Sequence, residues 1–110
     1  MRWWEHLYLG ERAGRAGEGF LKKLEEGRCL PDDYVITLPQ CGNHLFDIRP
    51  ALLLTAKERE GLMVLGAASG YGEAKEVVRR MVDDMYQATG GFDWGRFSGS
   101  LDSRPDRSGG

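Results

Sequence analysis

Cys41, His44 and Asp47 put a thiol, an imidazole and a carboxylate into one short segment. A thiol beside a base and an orienting acid is the arrangement for nucleophilic catalysis. That chemistry also needs a cleft and a supporting shell, and closeness along the chain supplies neither. The same segment offers zinc donors: Cys41 and His44 are spaced C-x2-H, and Cys29 and His6 would complete a set of four. Only one of these pairs is close in sequence. The plainer reading takes Cys29 as a small buried apolar residue and His44 as a loop residue. Asp83 and Asp84 are adjacent on an expected helix, about 100° apart, so they do not converge on one substrate. No catalytic residue, cofactor or metal ligand is expected.

Two further groups have interaction chemistry. The turn Gly66-Ala67-Ala68-Ser69-Gly70-Tyr71-Gly72 joins an apolar run to a helical pattern. Free backbone N–H groups at such a junction favour anions, which makes Ser69, Gly70, Tyr71 and Gly72 an anion-turn candidate. The turn lacks the Gly-Lys-Ser/Thr ending of a P-loop, and Glu73 and Glu76 already place negative charge in the first helical turn. A tight structural turn is the competing reading. Trp3, Trp4 and Tyr8 form the second group. Tryptophan and tyrosine are enriched where proteins bind one another. These three either cap the core or dock a partner.

The elements that must position these groups follow from periodicity. Trp3, Trp4, Leu7 and Tyr8 fall at i, i+1, i+4, i+5, and Phe20, Leu21 and Leu24 continue at similar spacing. Residues 2–27 therefore read as helix with a glycine-weakened middle, stopped at Gly27. Tyr34–Leu38 is rich in β-branched and aromatic residues and reads as a strand. Pro39–Asn43 reads as a loop and Leu45–Ile48 as an antiparallel second strand. Residues 51–56 fit a short helix or an edge strand equally, and 57–61 read as a charged turn. Leu62–Ala67 is the most apolar strand and is placed centrally. Ala74, Val77, Val78, Met81, Val82 and Met85 form a continuous apolar stripe over a helix from Glu73 to Thr89. Gly90-Gly91 ends it.

The order α-β-β-(short α)-β-α predicts an α+β domain. Its expected form is a small, mainly antiparallel three-stranded sheet with two helices on one side. Residues 1–97 are expected to form one domain and 98–110 a disordered tail. Double-stranded-RNA-binding domains share this element order, but they carry lysines where this chain has Glu73 and Glu76.

The 110 residues suffice for one core without staples. An apolar fraction of 41% and a charged fraction of 29% suit a globular protein. A net charge of −2 argues against a nucleic-acid module that relies on a basic surface. No apolar run approaches the roughly 20 residues of a membrane span. With two cysteines and no apolar leader, the expectation is a cytoplasmic protein with reduced thiols, and a Cys29–Cys41 disulfide is disfavoured.

The opening WWEHLYLGE, the turn GAASGYGEA and the ending DDMYQATGGFD resemble a group of short bacterial proteins with no established activity. The likeness covers residues 3 to about 97. It implies a bacterial, cytoplasmic, single-domain protein and carries over no functional residue. The leading expectation is a non-enzymatic protein-binding or self-associating domain using Trp3, Trp4 and Tyr8, with a homodimer as one form. The alternative is a small anion- or ligand-binding domain using the turn 66–73.

Overall fold

Four strands build one sheet among the described residues: β1 (Arg2–Leu9), β2 (Asp33–Thr37), β3 (Asp47–Pro50) and β4 (Met63–Ser69), in the order β1-β4-β2-β3. The structure is a computed structural model and describes residues 1–38, 46–92 and 94–102. β1 runs parallel to β4, whereas β2 is antiparallel to both β4 and β3. Among the described residues five α-helices accompany the sheet in an α+β architecture: α1 (Glu11–Ala16), α2 (Glu18–Glu25), α3 (Ala56–Gly61), α4 (Tyr71–Thr89) and α5 (Trp94–Asp102). The chain divides into two compact units, Met1–Arg79 and Arg80 onward.

In the first unit β4 is central, as its composition predicts. Val64 through Ala68 are all buried, which suits a strand covered on both faces. The sheet is four-stranded and mixed, not three-stranded and antiparallel. The additional strand is β1, whose residues read as helix. The cause is a large bulge. Register passes from Trp3↔Val64 to Tyr8↔Gly66, so Trp4, Glu5, His6 and Leu7 all lie opposite Leu65. Compression brings the rings of Trp4 and Tyr8 to 6.4 Å, where a flat strand would hold residues i and i+4 about 13 Å apart. The aromatic spacing thus imitates a helix inside a strand.

The helix expected over the rest of 2–27 is two helices. Gly17 has φ 59° and ψ −132°, a conformation that breaks α1 from α2. Gly27 ends α2 as expected. Its N–H donates to the Leu24 carbonyl at 3.1 Å and the Arg28 N–H to the Lys23 carbonyl at 3.0 Å, a Schellman closure.

The helices cover both faces of the sheet, not one. Val35 clusters with Ala13, Phe20, Leu24 and Ala67. Ile36, the next residue of β2, points to the opposite face. There Ile36 and Val77 each lie 3.2 Å from the space a Cβ on Gly66 would fill. So α1 and α2 pack on the Val35 face and α4 starts across the Ile36 face.

Residues 51–61 hold a 3-10 turn at Ala51–Leu53 and then α3, where a charged turn was expected. Thr55 and Glu58 form a reciprocal capping box: the Glu58 N–H donates to Thr55 Oγ1 and the Thr55 N–H to Glu58 Oε1. Glu58 also pairs with Arg49 of β3 at 2.5 Å. The hydrogen bond from Thr55 and the Arg49 guanidinium hold the Glu58 carboxyl below the usual carboxylate range.

Charged side chains fasten α2. Asp33 is 2% exposed; it pairs with Lys23 at 3.0 Å and accepts the Leu30 N–H at 2.8 Å. The Arg59 guanidinium donates to the Leu24 carbonyl at the helix's carboxyl end.

In the second unit, Thr89 closes α4 by donating to the Met85 carbonyl at 2.8 Å, and Gly90 follows with φ 75°. Tyr86 stacks on Phe92 at 5.5 Å, and Phe97 of α5 is buried. α5 extends to Asp102, past residue 98 where a tail was expected to begin.

Removing the ammonium from the Asp33 pair leaves a buried carboxylate uncompensated. Lys23→Met is expected to lower stability by about 2–3 kcal/mol, near the low end for a buried pair because the lysine is partly exposed. Adding Asp33→Asn to it should restore most of the loss. Urea denaturation of both variants checks this.

Candidate functional site

The residues expected to form one interaction face separate when β1 is a strand. Trp3 turns towards the apolar cluster of Ala13, Phe20 and Leu24, as do Leu7 and Leu9. Its indole Nε1 donates to Glu25 Oε2 of α2 at 2.7 Å. Trp4 and Tyr8 come together instead with His6. The Trp4 and His6 rings meet edge-on at 5.2 Å and 75°, and Trp4 and Tyr8 stack at 16°. His6, weighed in the sequence only as a zinc donor, is the exposed member of this trio, with 40% of its side chain accessible. The alternation Trp4, His6, Tyr8 was its signal, a period of two that the helical reading passed over.

A second constellation lies at the carboxyl ends of the parallel strands β1 and β4. Glu73, in the first turn of α4, aims its carboxylate at three backbone N–H groups. Oε1 accepts from Arg12 at 2.9 Å, and Oε2 accepts from Ala13 at 3.2 Å and from Ser69 at 2.9 Å. One side chain thereby joins the first turn of α1, the end of β4 and the start of α4. Burial pushes its pKa up, but the three N–H donors and the Arg12 guanidinium outweigh that, and the carboxyl sits below its ordinary value.

Gly10 makes this possible. A Cβ there would stand 2.2 Å from Glu73 Oε2 and 2.3 Å from its Cγ. The backbone at Gly10 is ordinary, with φ −68° and ψ 169°, so the requirement is space and not conformation. Glu73 thus serves more than the dipole of its own helix, and Gly10 more than a weak point in the chain. No periodicity announces a contact between residues this far apart in the chain.

The anion-turn candidate adjoins this knot. The Ser69 N–H donates to Glu73, and the Gly70 N–H donates to the Asp32 carbonyl at 2.6 Å. Tyr71 is exposed; its ring lies 5.6 Å from that of Tyr34 and 5.5 Å from Lys75 Nζ. Gly72 is exposed, with open space where a Cβ would stand.

Cys41 and His44 lie outside the described residues. Cys29 is half-buried, its Sγ 3.7 Å from an Arg59 guanidinium nitrogen, and Asp47 opens β3. Among the described residues, no three His, Cys, Asp or Glu side chains gather as a metal-ligand set, and no helix is long and apolar enough to cross a membrane.

Glu73→Ala is expected to lower stability by about 2 kcal/mol through loss of the charge-assisted hydrogen bonds. Gly10→Ala should cost a similar amount, about 1–3 kcal/mol, by evicting the carboxylate. In the Glu73→Ala background the same Gly10→Ala change should cost less than in the wild type, since the three atoms nearest that methyl belong to the Glu73 side chain. A urea double-mutant cycle measures the coupling. The pH dependence follows from the lowered pKa. Glu73's contribution is complete above its ordinary value of 4.5 and fades as pH falls through the lower folded-state value. Glu73→Gln should remove that part of the acid sensitivity, read from urea midpoints between neutral pH and about pH 3.

No family model, curated protein or solved structure matches the chain.

Proposed function

We propose that the protein is a non-enzymatic binding domain whose contact surface is the aromatic trio Trp4, His6 and Tyr8, and that its partner is a protein, with a second copy of this chain as the first case. The carrying observation is the bulge in β1, which gathers three rings at one edge of the sheet. Aromatic rings supply large contact area at low entropic cost, and tryptophan and tyrosine dominate protein-binding hot spots.

Side chains, not backbone, carry the contact. The Arg2 N–H donates to the Leu62 carbonyl at 2.7 Å and the Gly10 N–H to the Ala67 carbonyl at 2.9 Å, so these residues face β4. By alternation Trp3 and Leu9 face the open edge, with the bulge between them. A strand added there meets an interrupted ladder, which is how natural sheets protect their edges. The alternative use of the turn 66–73 for an anion is less favoured, because the N–H groups of Ser69 and Gly70 already bond to oxygens of the chain itself.

Trp4→Ala combined with Tyr8→Ala is expected to abolish self-association while changing urea stability by less than about 1 kcal/mol, the range for side chains outside the core. Trp3→Ala should do the reverse, losing about 2–4 kcal/mol of stability as a large side chain leaves the apolar cluster. Native mass spectrometry and concentration-dependent light scattering read the assembly. A wild-type chain that stays monomeric at every concentration removes the homodimer. A paired variant that assembles like wild type removes the trio.

A further inference from the structure

We propose that α1 is a lid over the carboxyl ends of β1 and β4, latched by Glu73 and jointed at Gly17. The idea is independent of the aromatic trio and concerns the other end of the strand pair.

α1 has little else to hold it. It is six residues long, far below the length at which an isolated helix persists in water. Gly14 in its interior weakens it further. Ala13 is its one buried residue. Its internal ion pair, Arg15 with Glu11, has both side chains more than 70% exposed and adds little. Its main attachments are the Ala13 methyl on the apolar cluster and the Glu73 carboxylate, which accepts from the N–H groups of Arg12 and Ala13 and faces the Arg12 guanidinium.

The neighbouring helix is fastened differently. α2 buries Phe20 and Leu24, its Lys23 pairs with Asp33, and Arg59 holds its carboxyl end. Gly17 separates the two, with backbone angles open to glycine and strained for other residues. Rotation there swings α1, while the Gly17 carbonyl stays at the start of α2 as acceptor for the Phe20 and Leu21 N–H groups. At the other end, the Gly10 N–H is tied into the sheet through the Ala67 carbonyl. The moving part is therefore the segment between Gly10 and Gly17.

Beneath α1 lies the place where two adjacent parallel strands send their helices to opposite faces of the sheet. In open α/β sheets that crevice is where ligands enter. Opening α1 breaks the Glu73 bonds to Arg12 and Ala13 and bares the ends of β1 and β4.

Amide hydrogen exchange of the full chain at neutral pH, read by mass spectrometry, tests the lid. Residues 14–17 are expected to exchange on the order of 10- to 100-fold faster than α2 and β4, reflecting local opening below the global transition. Glu73→Gln should accelerate 14–17 by a further tenfold or so, the effect of weakening a charge-assisted bond, and leave them still faster than α2 and β4. Gly14→Ala works in the opposite direction without risk to folding: its Cβ would meet Leu9 Cβ at 3.8 Å, an ordinary contact. It should slow exchange of 14–17 by roughly fivefold, as expected for glycine to alanine in a helix. Protection of 14–17 equal to that of α2, or exchange of 14–17 that rises with sub-denaturing urea as steeply as that of α2, means α1 opens only when the whole unit unfolds and overturns the proposal.

Discussion

The Glu73 carboxylate is the constraint around which the first unit is arranged. Three elements end or begin at one place: α1 and β4 bring backbone N–H groups, and α4 brings the acceptor. A single carboxylate accepts from three donors, Arg12, Ala13 and Ser69. This fixes where α1 leaves β1 relative to where α4 leaves β4. It also dictates the residue at position 10, since the carboxylate occupies the volume a side chain would need. The knot thus links backbone satisfaction, steric exclusion and charge in one contact.

A complementary cation acts at the far end of the same helical pair. Arg59 donates to the Leu24 carbonyl near the carboxyl end of α2, as Glu73 accepts at the amino end of α1. Negative charge at one end and positive at the other follow the helix dipole. Both charges come from other helices, α4 and α3, so these short helices are oriented by their surroundings. Their own length would not stabilise them. Burial supplies the remaining attachment, through Phe20 and Leu24 against Val35 and Ala67.

Legibility in the sequence tracked how local each cause is. β2, the central position of β4, α4 and the stop at Gly27 are written in runs and periodicities a few residues long, and the structure has them. The α+β class was readable for the same reason. β1 was not, because the bulge packs Trp4 through Leu7 opposite Leu65 and turns a period of two into something closer to a helix. α3 was readable and passed over: Thr55-x-x-Glu58 is a capping-box signature. The aromatic trio was half visible: Trp4 and Tyr8 were grouped with Trp3, which packs on the apolar cluster instead, and His6 was weighed only as a zinc donor. The Glu73 knot had no local signature at all, since its partners are brought together by the pairing of β1 with β4.

That pairing has a consequence for how the chain is made. β1 is synthesised before the strand it needs: Arg2 must wait for Met63, and Leu9 for Ala67. In the interval Trp3, Trp4, Leu7 and Tyr8 are exposed on the nascent chain, where apolar strand-forming residues invite pairing with other molecules. A long-range parallel contact is also slow to form, because the loop must close before the contact stabilises it. Once β1 has paired with β4, the crowded stretch from Trp4 to Leu7 keeps the finished edge from presenting a flat hydrogen-bonding ladder. The irregularity that hid β1 in the sequence therefore ends, once folding is complete, the exposure that early synthesis imposes on it.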